Sequence, residues 1–226
     1  MGEKKLTYSI ILIALILIVI SCQKDEKPPD PVTDIEGNSY NTILIGNQVW
    51  MAENLHTTKF NDGTDIELVT DAVTWRDIST PGYCWYNNEE AKYKDPYGAL
   101  YNGYSVTSGK LCPVGWHLPD TAEIHELITF SGDSLIAGGK MKEAGTAHWL
   151  SPNKGADNST GFTAVAAGIR YFEGTFTSVL SYTCFWLATE TGENDNWYMG
   201  LYFGDAVVTL NHKSKNHGFS VRCIRD

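Results

Sequence analysis

The rhythm of apolar and polar positions changes twice along this chain. Residues 10–20 are apolar without a break, Lys4 and Lys5 stand before them, and Ser21-Cys22 follow directly. Crossing a hydrocarbon core of ~30 Å takes about 20 residues, so this run is too short for a transmembrane helix. The layout predicts a cleaved lipoprotein signal peptide over residues 1–21, with lipid attached to Cys22. Further on, two short β-prone runs between Tyr40 and Trp50 flank Gly46-Asn47, which predicts a hairpin. Residues 57–82 are polar and broken by Asp62-Gly63 and Pro81-Gly82, a pattern for loop with one short strand or helical turn. Tyr83-Cys84-Trp85-Tyr86 predicts an aromatic strand, and residues 87–98 another loop.

Helical spacing is clearest after Pro119. Asp120 and Glu123 form a capping-box pattern, Ile124, Leu127 and Ile128 fall on one face, and Gly132 ends the helix. A second short helix is expected over residues 139–144. From Gly161 the period becomes two. Trp197, Met199, Leu201 and Phe203 alternate with Tyr198, Gly200 and Tyr202, and Phe219, Val221 and Cys223 alternate with Ser220, Arg222 and Ile224. The expected fold class is α+β, a twisted antiparallel sheet with one or two helices and long loops.

Composition sharpens this picture. Residues 22–33 form a charged, Pro-rich tether: Gln23-Lys24-Asp25-Glu26-Lys27, similar to the export tag of surface lipoproteins, is followed by Pro28, Pro29 and Pro31. Proline stiffens such a segment into an extended spacer. Loss of Glu3, Lys4 and Lys5 with the signal peptide leaves 15 basic and 26 acidic side chains, a formal charge of −11. That balance argues against a nucleic-acid partner and against direct adhesion to an anionic surface. The remainder from Asp34 onward suits one domain. Seven Trp, 12 Tyr and 21 Gly point to short strands and many turns.

With Cys22 lipidated, Cys84, Cys112, Cys184 and Cys223 remain, an even number for an oxidising compartment. Four cysteines allow three connectivities. Local closure favours Cys84 with Cys112 and Cys184 with Cys223, each contributing about 3 to 4 kcal/mol; free core thiols are the alternative. No C-x-x-C spacing is present, which disfavours a zinc ribbon or a thioredoxin-type pair.

A set of blocks in fixed order now stands out: Asp34-Ile35-Glu36-Gly37-Asn38, Ile45-Gly46-Asn47-Gln48-Val49-Trp50-Met51-Ala52-Glu53-Asn54-Leu55 and Tyr97-Gly98-Ala99-Leu100-Tyr101-Asn102. They continue through Leu111-Cys112-Pro113-Val114-Gly115-Trp116-His117-Leu118-Pro119, Ala137-Gly138-Gly139-Lys140-Met141-Lys142-Glu143, Gly145-Thr146-Ala147-His148-Trp149 and the closing Gly218-Phe219-Ser220-Val221-Arg222-Cys223-Ile224-Arg225-Asp226. These blocks resemble the FISUMP family, the Fibrobacter succinogenes major paralogous domain, over residues 34–226. The resemblance implies a surface lipoprotein with a C-type-lectin-like fold, also shared with sulfatase-modifying enzymes, and chain ends that come together. It implies no reaction, because fold does not determine function. Gly103 and Ile124 stand where the family usually has tryptophan, and Leu187-Ala188 replace its serine pair.

The candidate ligand-binding residues are Glu190, Glu193, Asn194, Asp195, Asn196 and Trp197. Their oxygens suit Ca²⁺, with Glu193 and Asp195 as the charged ligands, and Trp197 suits stacking on a sugar ring. The cluster lacks the Glu-Pro-Asn and Trp-Asn-Asp pairs of calcium-binding C-type lectins, so the competing expectation is a polar turn with Trp197 in the core and no metal or other cofactor. His56, His117, His125, His148, His212 and His217 show no metal spacing, and no phosphate loop or nucleophile elbow is present. No catalytic residue is assigned. Residues 145–160 and 171–182 are polar, glycine-bearing loops suited to recognition.

The expected function is therefore that of a lipid-anchored outer-membrane domain, exposed at the cell surface, acting as a binding or adhesion module for an extracellular glycan or protein. A structural subunit of a surface assembly, or an enzyme akin to sulfatase-modifying factors, are the alternatives.

Overall fold

The computed structural model describes residues 29–226. The signal peptide, Cys22 and the tether up to Pro28 lie outside the described residues. Folded contacts reach slightly further back than the expected boundary at Asp34. Strand β1 (Val32–Thr33) pairs antiparallel with β2 (Ser39–Tyr40), and the Thr42 hydroxyl donates to the carbonyls of Pro29 and Asp30 at 3.0 and 3.1 Å.

The expected hairpin is β3 (Thr42–Ile45) and β4 (Gln48–Met51), with Ile45 opposite Gln48. Gly46 takes the first turn position at φ +63°, a left-handed value that glycine adopts freely. A three-stranded sheet follows, built from β5 (Glu67–Leu68), β6 (Gly82–Cys84) and β7 (Leu100–Tyr101), with helices α1 (Ala72–Asp77), α2 (Glu90–Tyr93) and α3 (Gly103–Val106) along the connections. Strand β8 (Trp116–His117) leads into α4 (Thr121–Phe130), where both halves of the capping box form. Asp120 Oδ1 accepts from the Glu123 N–H and Glu123 Oε2 from the Asp120 N–H, each at 2.9 Å. Ile124, Leu127 and Ile128 are buried, as their spacing predicts. Helix α5 (Ala137–Met141) starts two residues before the expected position.

The chain then builds a five-stranded sheet in the order β10 (Phe176–Val179), β9 (Ala167–Arg170), β11 (Tyr182–Glu190), β12 (Asp195–Tyr202), β13 (Val208–Ser214). A fourteenth strand, β14 (Ile224–Arg225), lies between β4 and β8, so the first hairpin and the end of the described chain share a sheet.

Two expectations are corrected here. The strands form four small sheets among the described residues, and two pairs are parallel, β5 with β6 and β9 with β11. The second arises because β10 folds back on β9 and the chain then crosses β9 to start β11 on its other side. Residues 219–223 form no continuous strand either. Phe219 exchanges backbone hydrogen bonds with Tyr101, while Ser220 bonds the backbone of both Cys184 and Trp186, wedging the segment between β7 and β11.

The five-stranded sheet divides two cores. Trp186 and Tyr198 face the first, with Tyr101, Phe219 and Val221; Phe185, Leu187, Met199 and Leu201 face the second, with Trp50, Leu127 and Phe162. Three buried cations pin the surrounding loops. Arg170 donates to four backbone carbonyls, Lys142 to three, and Arg222 to the carbonyls of Phe162 and Thr163 and to Asn54 Oδ1. An aromatic ring lies within cation–π range of each of them, an attraction that strengthens when the cation is removed from water.

The disulfide pairing also differs from local closure. Cys112 is bonded to Cys223, while Cys84 and Cys184 are free and buried. Cys84 is kept from Cys112 because it sits in a third cluster beside Trp75 and Tyr86, while Cys112, Cys184 and Cys223 share the first core, where Cys223 meets Cys112.

Candidate binding face

The six residues read as a ligand set do lie together, on the end of β11, the turn and the start of β12, but their side chains do not converge. Glu190 accepts from the Lys215 ammonium at 2.6 Å. Asp195 Oδ2 lies 3.1 Å from His212 Nδ1, on the neighbouring strand. Asn196 is fully buried and gives its amide to the Leu187 carbonyl at 3.3 Å. Glu193 and Asn194 are exposed at the turn. Trp197 is half-buried, packs against the second core and meets His212 edge-on at 6.0 Å. Among the described residues no group of three or more His, Cys, Asp or Glu side chains is placed to hold a metal ion. The indole thus contributes to packing against the second core.

The opposite face of the same sheet carries rings that sequence reading left unassigned. Cross-strand pairs point the same way, so Tyr182 with Tyr202, Cys184 with Gly200 and Trp186 with Tyr198 share this face, joined from β13 by Thr209, Asn211 and Lys213. Gly200 is required here. A Cβ on it would lie 2.2 Å from the Tyr182 hydroxyl, so the bare strand lets the phenol lie across it toward Tyr198. Tyr198 packs on Phe219 at 5.1 Å, Phe219 on His217 at 5.7 Å, and His217 on Tyr171 and Phe172 at 5.9 and 5.7 Å. The inner rings are buried and the outer ones are not: Tyr171, Phe172 and Tyr202 are 38%, 49% and 43% exposed. Tyr171 and Phe172 fall in the segment expected as a loop over residues 171–182, of which Phe176–Val179 form β10 and Tyr182 opens β11; Tyr202 is hidden by an alternation that is apolar on both faces.

A separate cleft of about 310 Å³ opens between Cys112, Leu118, Ala188 and the start of α4. Its polar groups are already committed. His117 Nδ1 lies 2.6 Å from Asp226 Oδ1 and Nε2 lies 2.9 Å from Glu123 Oε1, while the other Glu123 oxygen and Asp120 close the capping box. Burial by itself lowers the pKa of His117, and the hydrogen bonds of Asp226 and Glu123 outweigh it, so the imidazolium is favoured. With both nitrogens engaged, the ring ties β8 to α4 and to Asp226, the residue after β14. The free thiols are inert. Burial pushes Cys84 up to about 12 and raises Cys184 further still, so neither yields a thiolate near neutral pH.

The five-stranded sheet and the three buried cations fall inside one recognisable unit. Residues 43–225 match the model of the Fibrobacter succinogenes major domain. The chain belongs to that family. No curated protein and no solved structure matches it. Family membership accounts for the block order, from the Ile45–Leu55 segment to the closing Arg222-Cys223-Ile224, and in this member those blocks supply the hairpin, the disulfide and a buried arginine.

Proposed function

We propose that this family member is an outer-membrane lipoprotein, anchored through lipid on Cys22 and exposed at the cell surface, with a C-type-lectin-like fold that serves as a binding module for a glycan or a protein. The observation that carries the reading is the set of exposed aromatic rings, Tyr171 and Phe172 in the β9–β10 turn and Tyr202 at the end of β12, while the histidine of the cleft and both free thiols are engaged or buried. Aromatic side chains with ordered supports are a binding feature, and a reaction needs free acid, base or nucleophile. The apolar run before Cys22 and the charged, Pro-rich tether support the anchoring.

The test has two readouts. Metabolic labelling with an alkyne fatty acid is expected to tag the native chain and to fail on Cys22→Ala, and antibody against the folded part is expected to stain intact cells. Absence of label on the native chain, or staining only after permeabilisation, would refute the anchoring. Cells displaying the chain are expected to retain an extracellular ligand that cells lacking it do not.

A further inference from the structure

Resting on the lipid anchor proposed above, we infer that the tethered domain docks against the bilayer through one small apolar face, whose corners are Ile35 in the β1–β2 turn and Val114 in the turn before β8.

Each of these side chains is the second residue of a tight turn. Across residues 34–37 the Gly37 N–H donates to the Asp34 carbonyl at 3.1 Å, and across residues 113–116 the Trp116 N–H donates to the Pro113 carbonyl at 3.0 Å. Turn corners ordinarily carry Gly, Pro, Asn, Asp or Ser, yet here Ile35 is 55% and Val114 83% exposed. The two turns are neighbours. Ile35, Pro113 and Val114 line one hollow of about 170 Å³ together with Thr33, Asp34 and Asn61. Polar groups of this face are satisfied from within the protein. Asp34 is buried and accepts from the backbone of Glu36 and Asn38, the Asn38 amide and the Tyr40 hydroxyl. Glu36 accepts from Thr57 and Thr58, and Asn61 gives its amide to the Cys112 carbonyl. With both carboxylates of the first turn held by protein donors, Ile35 is left at the corner.

The occupant follows from the reach of the tether and the size of the face. Pro29 stands six residues before Ile35, a separation of at most about 21 Å, and the seven residues from Cys22 to Pro29 reach about 25 Å. The second length exceeds the first, so Ile35 and Cys22 can stand in one bilayer surface. The same tether is too short to carry the domain far from the membrane. A free protein partner needs about 800 Å² on each side, which two turn corners do not supply. A tethered face meets its membrane at high effective concentration, so a few apolar groups are enough to orient it. The acidic balance of the chain opposes an anionic surface, and the face therefore suits electrically neutral lipid.

The experiment follows amide hydrogen exchange by mass spectrometry on the full acylated chain in phosphatidylcholine vesicles, with Ile35→Asp combined with Val114→Asp as the comparison and intrinsic rates corrected. Segments 34–37 and 113–116 are expected to exchange about threefold or more slowly in the native chain, as for a face covered about two thirds of the time. Leu135→Asp, at an exposed apolar residue outside the face, is the control and is expected to exchange as the native chain does. Should the double variant lose its cooperative melt, Val114→Asp alone is read in its place. Equal exchange in native chain and variant overturns the inference, as does protection lost equally with Leu135→Asp. Protection that rises with the density of chain on the vesicle puts a second copy on the face and overturns it too. Intact mass reports the anchor separately. If the native chain carries no lipid, the anchor fails, and docking is read on the chain with a maleimide-linked phospholipid coupled at Cys22, Cys84 and Cys184 being buried. Protection there upholds the face, and equal exchange there overturns it.

Discussion

Cys112 and Cys223 are bonded across a sequence separation of 111 residues, tying the segment before β8 to the one before β14. Closing a loop of that size contributes about 2 to 5 kcal/mol, chiefly by restricting the unfolded chain. Cys223→Ser is therefore expected to lower the urea midpoint strongly, whereas Cys84→Ser is expected to act only through local packing. Alkylation adds a count. Without reductant, unfolding is expected to expose two thiols besides Cys22, those of Cys84 and Cys184, and reduction is expected to raise that number to four. Four labelled thiols without reductant would refute the bridge.

Arg170 is fully buried between Trp75 and Phe176, with its guanidinium carbon 4.3 and 4.7 Å from the ring centroids. It donates to the carbonyls of Val69, Thr70, Asp71 and Gly174, binding the loop before α1 to the β9–β10 turn. Each buried carbonyl left without a donor costs about 1 to 3 kcal/mol. Arg170→Leu is expected to destabilise by about 3 kcal/mol or more, and Arg170→Lys to recover only part of this, since an ammonium lacks the planar fork. Equilibrium urea unfolding measures both; a loss indistinguishable from zero for Arg170→Leu would contradict the arrangement.

The parts of this structure legible in the sequence are those set by local chemistry. Asp120 and Glu123 specify the start of α4 because a capping box is closed within four residues, and Gly46-Asn47 specifies its hairpin for the same reason. What could not be read depends on distant partners. Phe219, Val221 and Cys223 alternate like a strand, but their segment bonds to Tyr101 on one side and to Cys184 and Trp186 on the other, so its register is imposed by strands more than 30 residues away. In β12 both faces are apolar, because each meets a different core. Alternation then cannot say that Trp197 packs inward while Tyr202 stays exposed.

Gly103 is a second point where distant contact decides the residue. Its N–H donates to the Lys215 carbonyl at 2.7 Å, and a Cβ there would fall 2.7 Å from Lys215 Cα. By helix propensity alone, Gly103→Ala would gain about 0.5 to 1 kcal/mol. Overpacking against backbone costs about 1 to 3 kcal/mol, so net destabilisation is expected. A higher melting temperature for Gly103→Ala would show that the close approach is absent.

His117 supplies the expected pH dependence. Its hydrogen bonds to Asp226 and Glu123 raise its pKa above the usual value despite partial burial. A group whose pKa is higher in the folded state stabilises fully below its unfolded pKa, about 6.5 for histidine, and that contribution is lost as pH rises through the folded value. The side chain is 43% exposed, so screening limits the effect to about 1 kcal/mol or less. His56 and His217 act in the opposite direction, because burial lowers both and their stabilisation is lost on acidification. Subtracting the curve of His117→Gln from that of the native chain isolates the clasp, and the difference is expected to shrink as pH rises above about 6.5. Titration followed by NMR gives the direct check: the His117 ring is expected to titrate above the unperturbed histidine value, and Glu123→Gln to bring it down. A His117 pKa below that value would rule out the two-carboxylate clasp.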